Sequence, residues 1–123
     1  EEAAGRRTLL LAAADLAHIG PKFGERAPVD AARRAACEAR DLAAIERVAA
    51  RDAEGFFRLI ADEKDARNVC GLPCIYSMLK VLEGEGPGPR ARGGRVLDYG
   101  QAPEQATGSM VSFAALAFDR ARP

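Results

Sequence analysis

Histidine is almost missing from this sequence: His18 is the only one in 123 residues. One imidazole cannot by itself supply a three-ligand metal site, and no second histidine exists to act as base for a catalytic serine. Ser112 lies in an apolar run without a Gly-x-Ser-x-Gly elbow and therefore reads as structural rather than as a hydrolase nucleophile. Cysteine is nearly as scarce. Cys37, Cys70 and Cys74 are odd in number and too few for a disulfide framework, so they read as thiols in a reducing compartment, and a cytoplasmic location is expected. Neither sign of charge is in excess, with 18 Lys plus Arg against 18 Asp plus Glu. Electrostatics therefore offers nothing to nucleic acid or to an anionic membrane. The longest apolar stretches, Thr8 to Ala14 and Met110 to Phe118, fall far short of the roughly 20 residues that span a bilayer, so no transmembrane helix is expected. The opening Glu1-Glu2 lacks the basic start of a secretory signal. The glycine-rich stretch from Gly84 to Gly94 lacks the spacing of a phosphate loop and does not lie between a strand and a helix, which leaves nucleotide binding without support.

What is present suits a packed domain. The chain is 48% apolar, and a domain of this size buries about two-thirds of its unfolded surface. Thr8 to Ala14 is an uninterrupted apolar run ended by Asp15, the pattern of an interior strand covered on both faces in an α/β sheet. Gly20-Pro21-Lys22-Phe23-Gly24 should then be a loop leaving the strand's C-terminal end, where α/β proteins place ligands. From about Asp30 the period becomes helical, with Ala32, Ala35, Ala39, Leu42, Ile45, Val48 and Ala49 on one face, and a break near Asp41 is plausible. Asp52 suits the N-cap of a second helix carrying Phe56, Phe57, Leu59 and Ile60, which the polar Asp62 to Asn68 should end. A third helix is expected from about Cys74 to Leu82. Gly84 to Gly94 is too rich in glycine, proline and arginine to pack and reads as a mobile connector. Arg95 to Tyr99 and Met110 to Phe118 read as strands joined by the turn-rich Gln101 to Gly108.

Two places carry candidate chemistry. His18 follows Asp15 by three residues, so a carboxylate and an imidazole could converge at the end of the first strand, although an imidazole that merely caps a loop would look the same. Cys70 and Cys74 flank Gly71-Leu72-Pro73, a turn entering a helix, where N-terminal amides favour a thiolate. Cys-x-x-x-Cys is weaker than a zinc signature, and cysteine is often only a small buried apolar residue. Cys37, on the alanine-rich helix, reads as structural.

Four blocks taken in order carry a resemblance. Ala13-Ala14-Asp15-Leu16-Ala17-His18, Asn68-Val69-Cys70-Gly71, Leu97-Asp98-Tyr99-Gly100-Gln101 and Val111-Ser112-Phe113-Ala114 resemble the C-terminal half of the Memo (mediator of cell motility) family, from about Thr8 to Phe118. The resemblance implies an α/β fold, a sheet with flanking helices, similar to the LigB-like class III extradiol dioxygenases. Residues 1–123 would then be the C-terminal part of a Memo-like domain. It further implies a cleft for a transition metal, iron or copper, with zinc also compatible with a mixed imidazole and thiolate set. Mapped onto this sequence, His18 and Cys70 fall on metal-site positions, and Asp15 and His18 on the positions that would serve the chemistry, Asp15 as proton acceptor or support. The chain departs from the family pattern in having no further histidines, which the family draws from an N-terminal half. That half is expected upstream or on a separate chain, the remaining alternative being a member that has lost the complete site. It departs again in Cys74, where similar sequences tend to have proline, a thiol that could ligate, pair with Cys70 or do neither. Two functions follow from the resemblance: a metal-dependent, dioxygenase-like oxidoreductase, or a non-enzymatic adaptor that binds a peptide or small ligand in the same cleft.

Overall fold

The computed structural model describes residues 9–84 and 93–118. In chain order the elements are β1 (His18–Ile19), a 3-10 turn (Pro21–Phe23), α1 (Ala31–Ala49), α2 (Ala53–Asp62), α3 (Leu72–Glu83), β2 (Arg95–Glu104) and β3 (Ser109–Ala117). The fold is α/β, with three helices, among the described residues, against a three-stranded antiparallel sheet of order β1-β3-β2. The Gly84 to Gly94 connector falls mostly on 85–92, outside the described residues.

The helices start where side chains can satisfy free backbone amides. Asp30 accepts from the Arg33 amide and Asp52 from the Gly55 amide, each closing the first turn of its helix. Pro73 sits in the first turn of α3, where its missing N–H costs nothing, so that helix begins two residues before Cys74. The apolar faces then meet. Ala44, Ile45 and Val48 of α1, Phe56 and Ile60 of α2, Ile75 and Leu79 of α3 and the loop residues Leu16 and Val69 form the main core. Ala17, Ile19, Cys37 and Met110 make a smaller one beside it.

Among the described residues, helices cover one face of the sheet only. Along β3 the side chains alternate, with Met110 and Ser112 buried, Ala114 and Leu116 packed on the main core, and Phe113 and Ala115 exposed on the other face. β3 pairs with β2 from Ser109 to Ala117, across a bulge between Val96 and Asp98, and with β1 at His18↔Val111 and Ile19↔Met110. β2 runs on through Glu104, so part of the segment expected as a turn is strand, and the reversal is confined to the residues before Ser109. Gly20, at φ +105°, ends β1 where an added Cβ would press on the Ser109 backbone, so only glycine fits.

The apolar run near the N-terminus is the main correction. Thr8 lies outside the described residues; Leu9 to Ala14 are neither strand nor interior, and Leu9 and Leu11 are 87% and 75% exposed. An interior strand needs a ladder partner and two covering layers. The edge of β3 is used only as far back as Leu16, whose amide donates to the Ser112 carbonyl, and the segment before it has no second layer among the described residues. Asp41 also does not break α1. It is fully buried in an unbroken helix, where Arg67 and the Tyr99 hydroxyl satisfy its carboxylate.

Candidate metal centre

His18 is itself the first residue of β1 rather than a loop residue beyond it, and both sides of its backbone are held. On one side it pairs with Val111 of β3. On the other its N–H donates to the Arg67 carbonyl at 2.7 Å, and its carbonyl accepts from the Asn68 side-chain amide at 3.1 Å. The 67–68 segment thus serves as a short outer partner for the strand. The imidazole is oriented as firmly. Nδ1 lies 3.1 Å from the Leu16 carbonyl, which can only accept, so the neutral ring carries its proton there and presents a bare lone pair on Nε2. The Phe23 ring meets it edge-on, with centroids 5.1 Å apart.

Nε2 points at two further donors. The Asp15 Oδ2 atom is 3.8 Å away, and the Cys70 sulfur 4.0 Å away. The ligand atoms of Asp15, His18 and Cys70 all lie within 4.8 Å of one another. Donors held 2.0 to 2.3 Å from a tetrahedral ion stand roughly 3.4 to 3.7 Å apart, so side-chain movements of up to about 1 Å would bring this set onto one ion. One nitrogen, one oxygen and one sulfur suit a borderline or soft transition metal. Three protein donors also leave at least one position free for water, substrate or a further ligand.

The loop carrying Cys70 is shaped by its own sequence. Asn68 adopts φ +48°, a left-handed turn that asparagine tolerates better than most side chains. Val69 then drops into the core, its amide held by the Asp65 carboxylate at 2.8 Å. Gly71 donates to the Asp15 carbonyl at 3.1 Å, and a Cβ there would collide with that oxygen, with Ile75 and with Ala14. The close approach that only glycine permits places the Cys70 sulfur 3.8 Å from the same carbonyl. Cys74, in the first turn of α3, is exposed and free, as is Cys70, and it stands outside the three-donor group.

Behind this loop lies a buried polar network that sequence reasoning missed. Asp41 of α1 accepts from Arg67, from the Tyr99 hydroxyl at 2.9 Å and from the Cys37 thiol at 3.6 Å. Arg67 also grips Glu63 through Nε at 2.8 Å and Nη2 at 2.6 Å, while Gln101 bridges the Tyr99 hydroxyl and the Arg34 carbonyl. Burial and the Asp41 charge push the Cys37 thiol up to about 12, so it stays protonated and serves as a donor to Asp41. Burial, with the Asp41 carboxylate, likewise raises the Tyr99 phenol, against a hydrogen bond from Gln101 that lowers it. A signal did exist: Asp41 follows Cys37 by four residues and precedes Ala44 and Ile45, which places a carboxylate inside the apolar stripe of α1. Ser112 has the structural role expected of it, its buried hydroxyl accepting from the Ala17 amide at 2.9 Å.

Among the described residues no helix is long and apolar enough to cross a membrane. Comparison with curated proteins and with solved structures gave no significant match. A family model described as Memo-like protein, by contrast, matches residues 1–117. With almost the whole chain inside that match, this protein belongs to the Memo-like family.

Proposed function

We propose that the chain contributes His18 and Cys70, with Asp15 beside them, to a transition-metal site, iron or copper by the family likeness and zinc by donor chemistry. The observation that supports this reading is the convergence of three different donor types around one lone pair on Nε2. An ion bound there would supply Lewis acidity or, for iron and copper, one-electron chemistry. The protein's own part is to fix the imidazole tautomer through the Leu16 carbonyl and to keep a carboxylate within reach of a substrate proton. Asp15 is exposed and so remains free to act as that proton acceptor. A dioxygenase-like oxidoreductase is the reading that this donor set favours over an adaptor, because an adaptor has no need of a converging thiol and imidazole.

Three donors make an open site, and the exposed Leu9, Leu10 and Leu11 run directly into it through Asp15. A further polypeptide segment, upstream in the same protein or on another chain, would cover this run and add the remaining ligands. Reconstitution with iron(II), copper(II) or zinc followed by elemental analysis of the desalted protein tests the site. About one ion per chain is expected for wild type, with a large loss in His18→Ala. Equal metal in both proteins would overturn the reading.

A further inference from the structure

We propose that Asp41, Arg67 and Asn68 are positioning residues for the site: a buried ion pair fixes the backbone of the 67–68 segment, and that segment sets the distance between the His18 ring and the Cys70 thiol. The inference rests on the metal-site reading above.

The connection runs through named bonds. Arg67 is 5% exposed and cannot shift without leaving charges unpaired in the core, because Asp41 holds one arm and Glu63 the other. Asp41 is itself fully buried and tied to β2 through Tyr99, so α1, the loop after α2 and the sheet all clamp one guanidinium. The backbone of that same residue accepts the His18 N–H, and the next residue donates to the His18 carbonyl. Two positions further on stands Cys70. One donor of the site is therefore pinned to the segment that carries the other. A buried ion pair adds little stability of its own, since replacing both partners together by apolar groups is often as stable, and the role left to this one is to hold a single geometry. The groups that orient metal ligands behave in this way, and losing one typically weakens metal affinity 10- to 100-fold.

Asn68→Gly tests the effect. Glycine accepts the positive φ without strain, removes the amide that holds the His18 carbonyl and loosens the same backbone segment. Cobalt(II) serves as the probe, because its absorption bands report thiolate and imidazole coordination. For Asn68→Gly the cobalt dissociation constant is expected to rise about 10- to 100-fold with altered bands, while Ile60→Val, which trims the core but touches none of these bonds, leaves affinity and bands unchanged. In the metal-free proteins, nuclear Overhauser contacts between the His18 ring protons and the Cys70 β protons should be present in wild type and lost in Asn68→Gly. Unchanged affinity together with unchanged contacts in Asn68→Gly would overturn the inference. A wild-type chain that binds no cobalt would sink the metal-site reading instead, and the proton contacts alone would then decide whether the 67–68 segment positions the pair.

Discussion

Arg67→Met should destabilise the fold by about 3 to 5 kcal/mol, the cost of leaving a buried charge without its partner. The side chain to be removed satisfies both Asp41, which is fully buried, and Glu63, whose side chain is 8% exposed and is also held by Arg40. Methionine fills much of the space but donates nothing, and Asp41 keeps only the Tyr99 hydroxyl and the Cys37 thiol. Urea unfolding at neutral pH measures this directly, and a loss under 1 kcal/mol would show that the network is not held by the ion pair. The pH dependence gives a second reading of the same contact. Burial raises the Glu63 carboxyl, but hydrogen bonds from Arg67 and Arg40 outweigh it and hold the group below its ordinary value of 4.5. A group lowered on folding gives stability that is present above the unfolded value and is lost as pH falls through the folded one. Wild type should therefore lose stability as the pH drops below about 4.5, and Arg67→Met should show a shallower loss over that range.

If the proposed site binds metal, Cys70→Ser should remove most of it, and Cys37→Ser should leave it intact. Both substitutions replace a thiol by a hydroxyl, so the pair separates ligation from any general effect of losing a sulfur. Cys70 is exposed and faces the bare nitrogen of His18, and a serine hydroxyl is a poor ligand for the metals that favour thiolate. Cys37 is buried, points at Asp41 and is held protonated, so it offers no thiolate to an ion. A serine there can still donate to Asp41, which keeps the fold. Metal analysis of the two variants, loaded side by side, gives the result, and equal content would exclude Cys70 as a ligand.

The helices were legible because their signals are local. Asp52 lies where a cap should and Asp30 where the helical period begins, and Ile45, Val48, Phe56 and Ile60 are in the core as their spacing implies. Ala32, Ala35, Ala39 and Leu42, expected on the same apolar face of α1, are exposed instead, because that helix rests on the core through Cys37, Asp41, Ala44, Ile45 and Val48. The hairpin strands were legible in kind but short in extent, since Gln101 to Glu104 look like turn residues and are kept in register by their partners on β3. What depends on distant partners was not legible. Asp41 looks like a helix breaker until Arg67, 26 residues later, is seen beside it. Leu9 to Leu11 look like core because the sequence shows their hydrophobicity and not whether a second layer exists to cover them. At the site, the residue types raised His18 and Cys70 only as separate candidates. Their pairing followed from the family likeness, and the Leu16 carbonyl that fixes the ring had no sequence signal.

The imidazole and the thiol meet at the neck of an excursion of 52 residues that contains all of α1 and α2. Closing a flexible loop of that length costs roughly 3.5 kcal/mol in chain entropy, before any constant term, and nothing at the neck itself repays this early in folding. Local helices form in microseconds, whereas contacts this far apart along the chain wait for the helices to dock. The donor set is therefore a late product of folding and is absent from the unfolded chain. An ion that recognises the assembled set binds the native state alone, and at a hundred times its dissociation constant it would add about 2.7 kcal/mol to the free energy of unfolding. It would act there as a reversible cross-link, tying the start of the chain to the entrance of α3.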